Sequence, residues 1–120
     1  MKKSLILSVF TILFIACNAQ NDVTKVLSKE AFKSQIENNE VQLIDVRTPE
    51  EFAEGHIEGA VNIDYYSEDL TEKLNKLNKE APVYLYCRSG NRSNKTSKQL
   101  EEMGFTEIYD LEGGILNYNK

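Results

Sequence analysis

The chain has 120 residues and a net charge of −5, from 14 Lys+Arg against 19 Asp+Glu, an acidity that excludes the basic footprint of a nucleic-acid binder. Its one histidine rules out a multi-histidine metal site, and its two cysteines are too few for a disulfide scaffold. The length fits one domain.

Lys2 and Lys3 form a positive start, and residues 4–16 carry no charge. That run has the ~7–15 residues of a signal h-region and falls short of the ~20 needed to span a bilayer as a helix. Ala16 precedes Cys17, and the pattern resembles a bacterial lipoprotein signal, in which cleavage before the cysteine leaves it lipidated. Phe14 and Ile15 stand where that family prefers leucine and a small residue. Ordinary secretory cleavage after Ala19 is the other reading, because Cys17-Asn18-Ala19 also has small ends. The expected layout is a signal peptide over 1–16, a lipidated Cys17 and polar tether over 17–22, and a domain over 23–120. Either cut removes Lys2 and Lys3, taking the net charge from −5 to −7. The expected location is the cell envelope, as a periplasmic or outer-membrane lipoprotein. A lipid would be its membrane partner, with no polybasic patch to help.

Residues 23–27 read as a short strand. Ser28 suits an N-cap for a helix over 29–38, with Phe32 and Ile36 four apart on one face. The β-branched run 41–46 reads as a buried strand. Thr48 can cap the next helix, Pro49 suits its first position, Glu51 closes a capping box, and Gly55 stops it. A short strand over 61–63 precedes a helix opened by Ser67 or Asp69, with Leu70, Leu74 and Leu77 at helical spacing. Residues 82–86 read as a strand, followed by a loop, a helix from near Ser93 to Met103, and a strand over 107–111. Gly113-Gly114 then turns the chain into a short last helix. This alternation predicts an α/β fold with a parallel sheet and helices on both faces.

In such sheets ligands sit at the carboxyl ends of strands, and Cys87 occupies one. The loop runs Cys87-Arg88-Ser89-Gly90-Asn91-Arg92. Gly90 permits a positive φ, successive N–H groups of a curled loop form an anion-binding nest, and the following helix N-terminus adds partial positive charge. Arg88 and Arg92 bring formal charge. Each effect favours a thiolate over a thiol. Arg92, Lys95 and Lys98 oppose the macrodipole in the first turns of that helix, which makes sense when an anion is held in the loop. The alternative is an inert buried thiol beside solvated arginines. A cysteine and an arginine across a curled loop also suggest a tyrosine-phosphatase-like site. Those have five intervening residues, whereas four stand between Cys87 and Arg92. The tighter ring suits a single terminal sulfur better than the three oxygens of a phosphate.

Taken together, residues 41–118 resemble a single-domain rhodanese, a sulfurtransferase. Four blocks in order carry the resemblance. They are Ile44-Asp45-Val46-Arg47 with Thr48-Pro49-Glu50-Glu51-Phe52, then Gly55-His56-Ile57-Glu58-Gly59-Ala60-Val61-Asn62-Ile63, then Tyr86-Cys87-Arg88-Ser89-Gly90-Asn91-Arg92-Ser93, and last Leu111-Glu112-Gly113-Gly114-Ile115. The resemblance implies a rhodanese-like, mostly parallel sheet of about five strands, and no cofactor or metal. It implies that Cys87 is the nucleophile. Its thiolate would take the outer sulfur of thiosulfate or a persulfide donor and pass it to cyanide or a thiol. The N–H groups of Arg88, Ser89, Gly90, Asn91 and Arg92 would bind the transferred sulfur, and the two arginines would attract the anionic donor. Asp45 and Arg47 would support the loop, and His56 would pack rather than move protons. Tyr118 stands where the family commonly has tryptophan, which bears on selectivity more than on fold. The expected function is an exported sulfurtransferase. The alternative is a non-enzymatic persulfide carrier or redox-sensing module acting with a protein partner.

Overall fold

Strands and helices alternate along the chain. The computed structural model describes residues 22–120, so the expected signal segment and Cys17 lie outside the described residues. In order the elements are β1 (Thr24–Leu27), α1 (Lys29–Ile36), β2 (Gln42–Asp45), α2 (Pro49–Glu54), β3 (Val61–Asn62), α3 (Leu70–Asn75), β4 (Val83–Tyr86), α4 (Asn91–Glu102), β5 (Ile108–Leu111) and α5 (Gly114–Tyr118). The five strands form one parallel sheet in the order β1-β5-β4-β2-β3. This is the expected α/β architecture, with helices on both faces.

The alternation of side chains along β4 sorts the core. Val83, Leu85 and Cys87 point to one face and pack with Leu74 of α3, Leu100 of α4 and Phe105. Tyr84 and Tyr86 point to the other, against Phe32 and Ile36 of α1, Ile57, and Ile115 of α5. Every residue of β4 is buried, as expected for the middle strand of a sheet covered on both sides. Removing each large apolar side chain from water stabilises the fold by roughly 1.5–3 kcal/mol.

Most boundaries differ from the sequence expectation by at most one residue, and two helix ends differ by two, each for a local reason. The first helix ends at Ile36, not residue 38. Glu37 turns extended, Asn38 takes φ 60°, and the Asn39 side-chain amide donates to Gln35 O at 3.0 Å, closing the helix early. The fourth begins at Asn91, not near Ser93, because Gly90 adopts φ 109° and its carbonyl accepts from Asn94 N at 3.1 Å. Arg92 therefore sits in the first helical turn. At the third helix Asp69 takes the N-cap position but makes no capping bond; it pairs with Lys73 at 3.4 Å.

Candidate active site

Cys87 directly follows β4, buried to 1% exposure between the end of the sheet and the start of α4. Its Sγ accepts a hydrogen bond from Gly90 N–H at 3.0 Å and lies 3.4 Å from the Ser93 hydroxyl, which also donates to Gly90 O at 3.2 Å. Gly90 reaches this position through its left-handed conformation, which brings its N–H back toward the sulfur three residues earlier. Of the loop amides expected to bind sulfur, that of Gly90 is the one within bonding distance of Sγ.

The loop is also held from outside. Ile115 N–H donates to Cys87 O at 2.9 Å and Leu116 N–H to Arg88 O at 3.2 Å. These bonds turn the two loop carbonyls toward α5. Gly114 makes this approach possible. A Cβ on it would lie 2.3 Å from Arg88 O and 2.6 Å from Cys87 O.

The two arginines of the loop have different settings. Arg88 and Ser89 are exposed. Arg92 is half-buried, and its guanidinium makes a two-pronged contact with Glu51, Nη1 to Oε1 at 2.7 Å and Nη2 to Oε2 at 3.0 Å, while lying over the Tyr66 ring. The Arg92 charge beside the helix N-terminus is thus balanced by α2. A bound anion is not needed to account for it. Glu51 serves two purposes, since Oε1 also accepts from Thr48 N–H at 3.1 Å in the expected capping box. The Arg92 guanidinium holds the Glu51 carboxyl down at about 2, against some opposition from burial. A carboxyl lowered on folding adds stability that is present above its unfolded range and disappears as pH falls through the folded value. The thermal stability advantage of the unmutated protein over Glu51→Gln should therefore be full at neutral pH. It should shrink as pH drops from about 4.5 toward about 2 in a calorimetric series.

Asp45 and Arg47 lie on the other side of β2's end, also buried. Arg47 Nε bonds both carboxylate oxygens of Asp45 at 3.0 and 3.1 Å, and Nη2 reaches Oδ2 and Gly55 O, each at 2.7 Å. The Asn62 side chain donates to the carbonyls of Asp45 and Arg47, joining β3 to the cluster. This is a clamp on the turn into α2, and α2 carries the Glu51 that holds Arg92. Removing one partner of a buried ion pair leaves the other uncompensated, so Asp45→Ala should lower stability in urea unfolding by about 3 kcal/mol. His56 is exposed, stacked on Phe52 at 3.7 Å with Nδ1 2.9 Å from Phe52 O, and has no hydrogen bond to the cysteine loop among the described residues.

A groove of about 1210 Å³ reaches the loop at Arg88, with Lys33, Glu37, Glu54 and His56 along its walls. Cys87 does not line it. No group of acidic, histidine or cysteine side chains able to hold a metal occurs among the described residues. The sequence pattern alone missed Ser93 as a sulfur neighbour and Glu51 as the partner of Arg92. Asp110 is buried beside Leu85, on the same sheet face as Cys87.

Comparison with known proteins agrees with this arrangement. Residues 28–120 match the rhodanese-like domain family. The putative sulfurtransferase YtwF of Bacillus subtilis is 43% identical over 93 residues, covering 77% of this chain and 87% of that protein. The thiosulfate sulfurtransferase GlpE of Pseudomonas aeruginosa is 34% identical over 81 residues, 68% of this chain and 72% of that one. The crystal structure of a rhodanese-like domain protein from Staphylococcus aureus superimposes with a TM-score of 0.69 at 34% identity, covering 78% of this chain and 90% of that one.

Proposed function

The chain belongs to the rhodanese-like domain family, and from that premise we propose that it is an exported sulfurtransferase working through a Cys87 persulfide. The observation that carries this reading is the setting of the sulfur: Sγ faces the Gly90 N–H and the Ser93 hydroxyl at the start of α4. A thiolate there would accept the Gly90 N–H at the start of α4. It attacks the outer sulfur of thiosulfate, the S–S bond of the donor breaks, and sulfite leaves with the electron pair. The outer sulfur of the Cys87 persulfide is then attacked by cyanide or a thiolate, and the Cys87 thiolate is the leaving group. Arg88, exposed at the loop, draws in the anionic donor. The Gly90 amide already bonds Sγ, and the amides of Ser89, Asn91 and Arg92 in the same loop would help take the transferred sulfur. Asp45 and Arg47 act at a distance by holding the turn into α2. Export and a lipid on Cys17 are supported by the charged start, the apolar run and the Ala16-Cys17 junction.

The carrier alternative also has an observation in its favour. Cys87 is 1% exposed and Arg92 is engaged by Glu51, which leaves Arg88 as the loop cation without an ion pair among the described residues and suits delivery by a protein partner. Intact-mass spectrometry of the purified protein after incubation with thiosulfate separates the readings. A gain of one sulfur atom that cyanide then discharges as thiocyanate supports the enzyme. A gain discharged only by a partner protein supports the carrier. No gain at all overturns both.

A further inference from the structure

Glu51 holds Arg92 more firmly than a surface ion pair would. Its Oε1 accepts from Arg92 Nη1 at 2.7 Å and its Oε2 from Nη2 at 3.0 Å. Oε1 also accepts from Thr48 N–H at 3.1 Å and from the Thr48 hydroxyl at 3.2 Å, so the carboxylate is fixed before Arg92 reaches it. The two side chains are only 15% and 26% exposed. A planar guanidinium bonded twice to one carboxylate is stronger and better oriented than a single contact between exposed charges. The same guanidinium lies over the Tyr66 ring, 5.7 Å from its centre. It is therefore positioned by α2 on one hand and by the turn after β3 on the other.

This pairing changes the charge that a sulfur donor meets. Arg92 is the neighbour in sequence of Ser93, whose hydroxyl is 3.4 Å from Cys87 Sγ. An anion that recruits Arg92 must first displace a carboxylate already bonded twice. Of the two loop cations, Arg88 is the one without an ion pair among the described residues. The groove that reaches Arg88 adds negative charge. Glu40, Glu54 and Glu58 are exposed along it and have no ion pair among the described residues, while its Lys33 pairs with Glu37 at 3.7 Å. Thiosulfate brings two negative charges to this setting. A persulfide brings one at its transferring end.

We propose that Glu51 is a positioning residue that sets donor selectivity. By keeping Arg92 on α2 it weakens the site for dianionic thiosulfate and favours a persulfide as the donor. The assignment rests on the sulfurtransferase reading above. Glu51 acts on the binding of the donor, and the transfer of sulfur to Cys87 is the step already described.

The test is Glu51→Gln in the full chain. Glutamine also serves at this position of a capping box, so the start of α2 is kept while the charge is removed. Sulfur uptake at limiting donor, followed by intact mass, should become roughly tenfold faster from thiosulfate. A dianion feels the lost charge twice as strongly as a monoanion, so uptake from cysteine persulfide should quicken only about threefold. An equal change with both donors is the mark of a merely structural role and overturns the proposal, as does slower uptake from thiosulfate. Phenylglyoxal labelling of the unmutated chain, mapped by peptide mass, covers a variant that fails to fold. Arg88 should be labelled well before Arg92, and equal rates overturn the proposal. Calorimetric titration of thiosulfate into Cys87→Ser, with and without Glu51→Gln, reads anion binding where no sulfur can move. Binding should tighten roughly tenfold. Tighter binding in a chain that takes up no sulfur from either donor refutes the function and keeps the hold of Glu51 on anion affinity. Sulfur uptake with unchanged thiosulfate affinity keeps the function and overturns the proposal.

Discussion

Replacing Cys87 with serine should abolish the sulfur-atom mass gain and cut any thiosulfate-dependent thiocyanate formation by at least about 10³-fold, the scale of loss when a covalent nucleophile is removed. Cys87 is the free cysteine among the described residues, so no second thiol there can take over. A serine hydroxyl would fit the space and keep contacts to Gly90 N–H and Ser93. It stays protonated at neutral pH and has no sulfur to bond to the donor's sulfur. Thermal unfolding should change little, since volume and hydrogen bonding are nearly conserved. A folded serine variant that still gains a sulfur atom would move the chemistry to another residue and overturn the assignment.

Gly114→Ala is the second large effect, and it arises without touching the thiol. The added Cβ would sit 2.3 Å from Arg88 O and 2.4 Å from Arg88 C, and the backbone there is at φ 64°. Those neighbours are main-chain atoms, so no side-chain rotation relieves the clash. The left-handed conformation alone costs a non-glycine residue roughly 1–2 kcal/mol. Displacing the loop adds to that, for a total of about 3 kcal/mol or more in urea unfolding. Because the bonds from Ile115 N–H and Leu116 N–H to the loop carbonyls would stretch, Cys87 alkylation and sulfur uptake should change with stability. Normal reactivity in a destabilised Gly114→Ala protein would show that α5 holds the fold but not the loop.

Local chemistry was readable from the chain, and long-range partnership was not. The capping box of Thr48 and Glu51, the Ser28 cap, the stop at Gly55 and the position of Cys87 at a strand end all depend on residues a few places apart. The all-parallel sheet followed from strand-helix alternation, and the four sequence blocks located the loop. The pairing of Glu51 with Arg92 joins residues 41 positions apart, and no periodicity announces it. Read locally, Arg92 was a cation opposing a helix dipole and seemed to call for an anion. In three dimensions that anion is a side chain. Asp110 reads locally as a polar residue in an apolar strand, and only the sheet register shows it buried beside Leu85 of β4. Asp45 and Arg47, two apart, read equally as a turn or a pair. Their burial and the reach of Asn62 decide for a clamp.

The bonds from α5 to the Cys87 loop also order events during synthesis. Ribosomes add roughly 5–20 residues per second. Cys87 therefore emerges before the segment that turns its carbonyls away, and the strand β1, made first, pairs with β5, made nearly last. Until β5 and α5 arrive, the loop has neither its neighbouring strand nor its outer anchor. The growing chain thus carries Cys87 outside its final setting. The surroundings of its sulfur are complete only when the sheet closes, so the last strand and helix to be made finish the site.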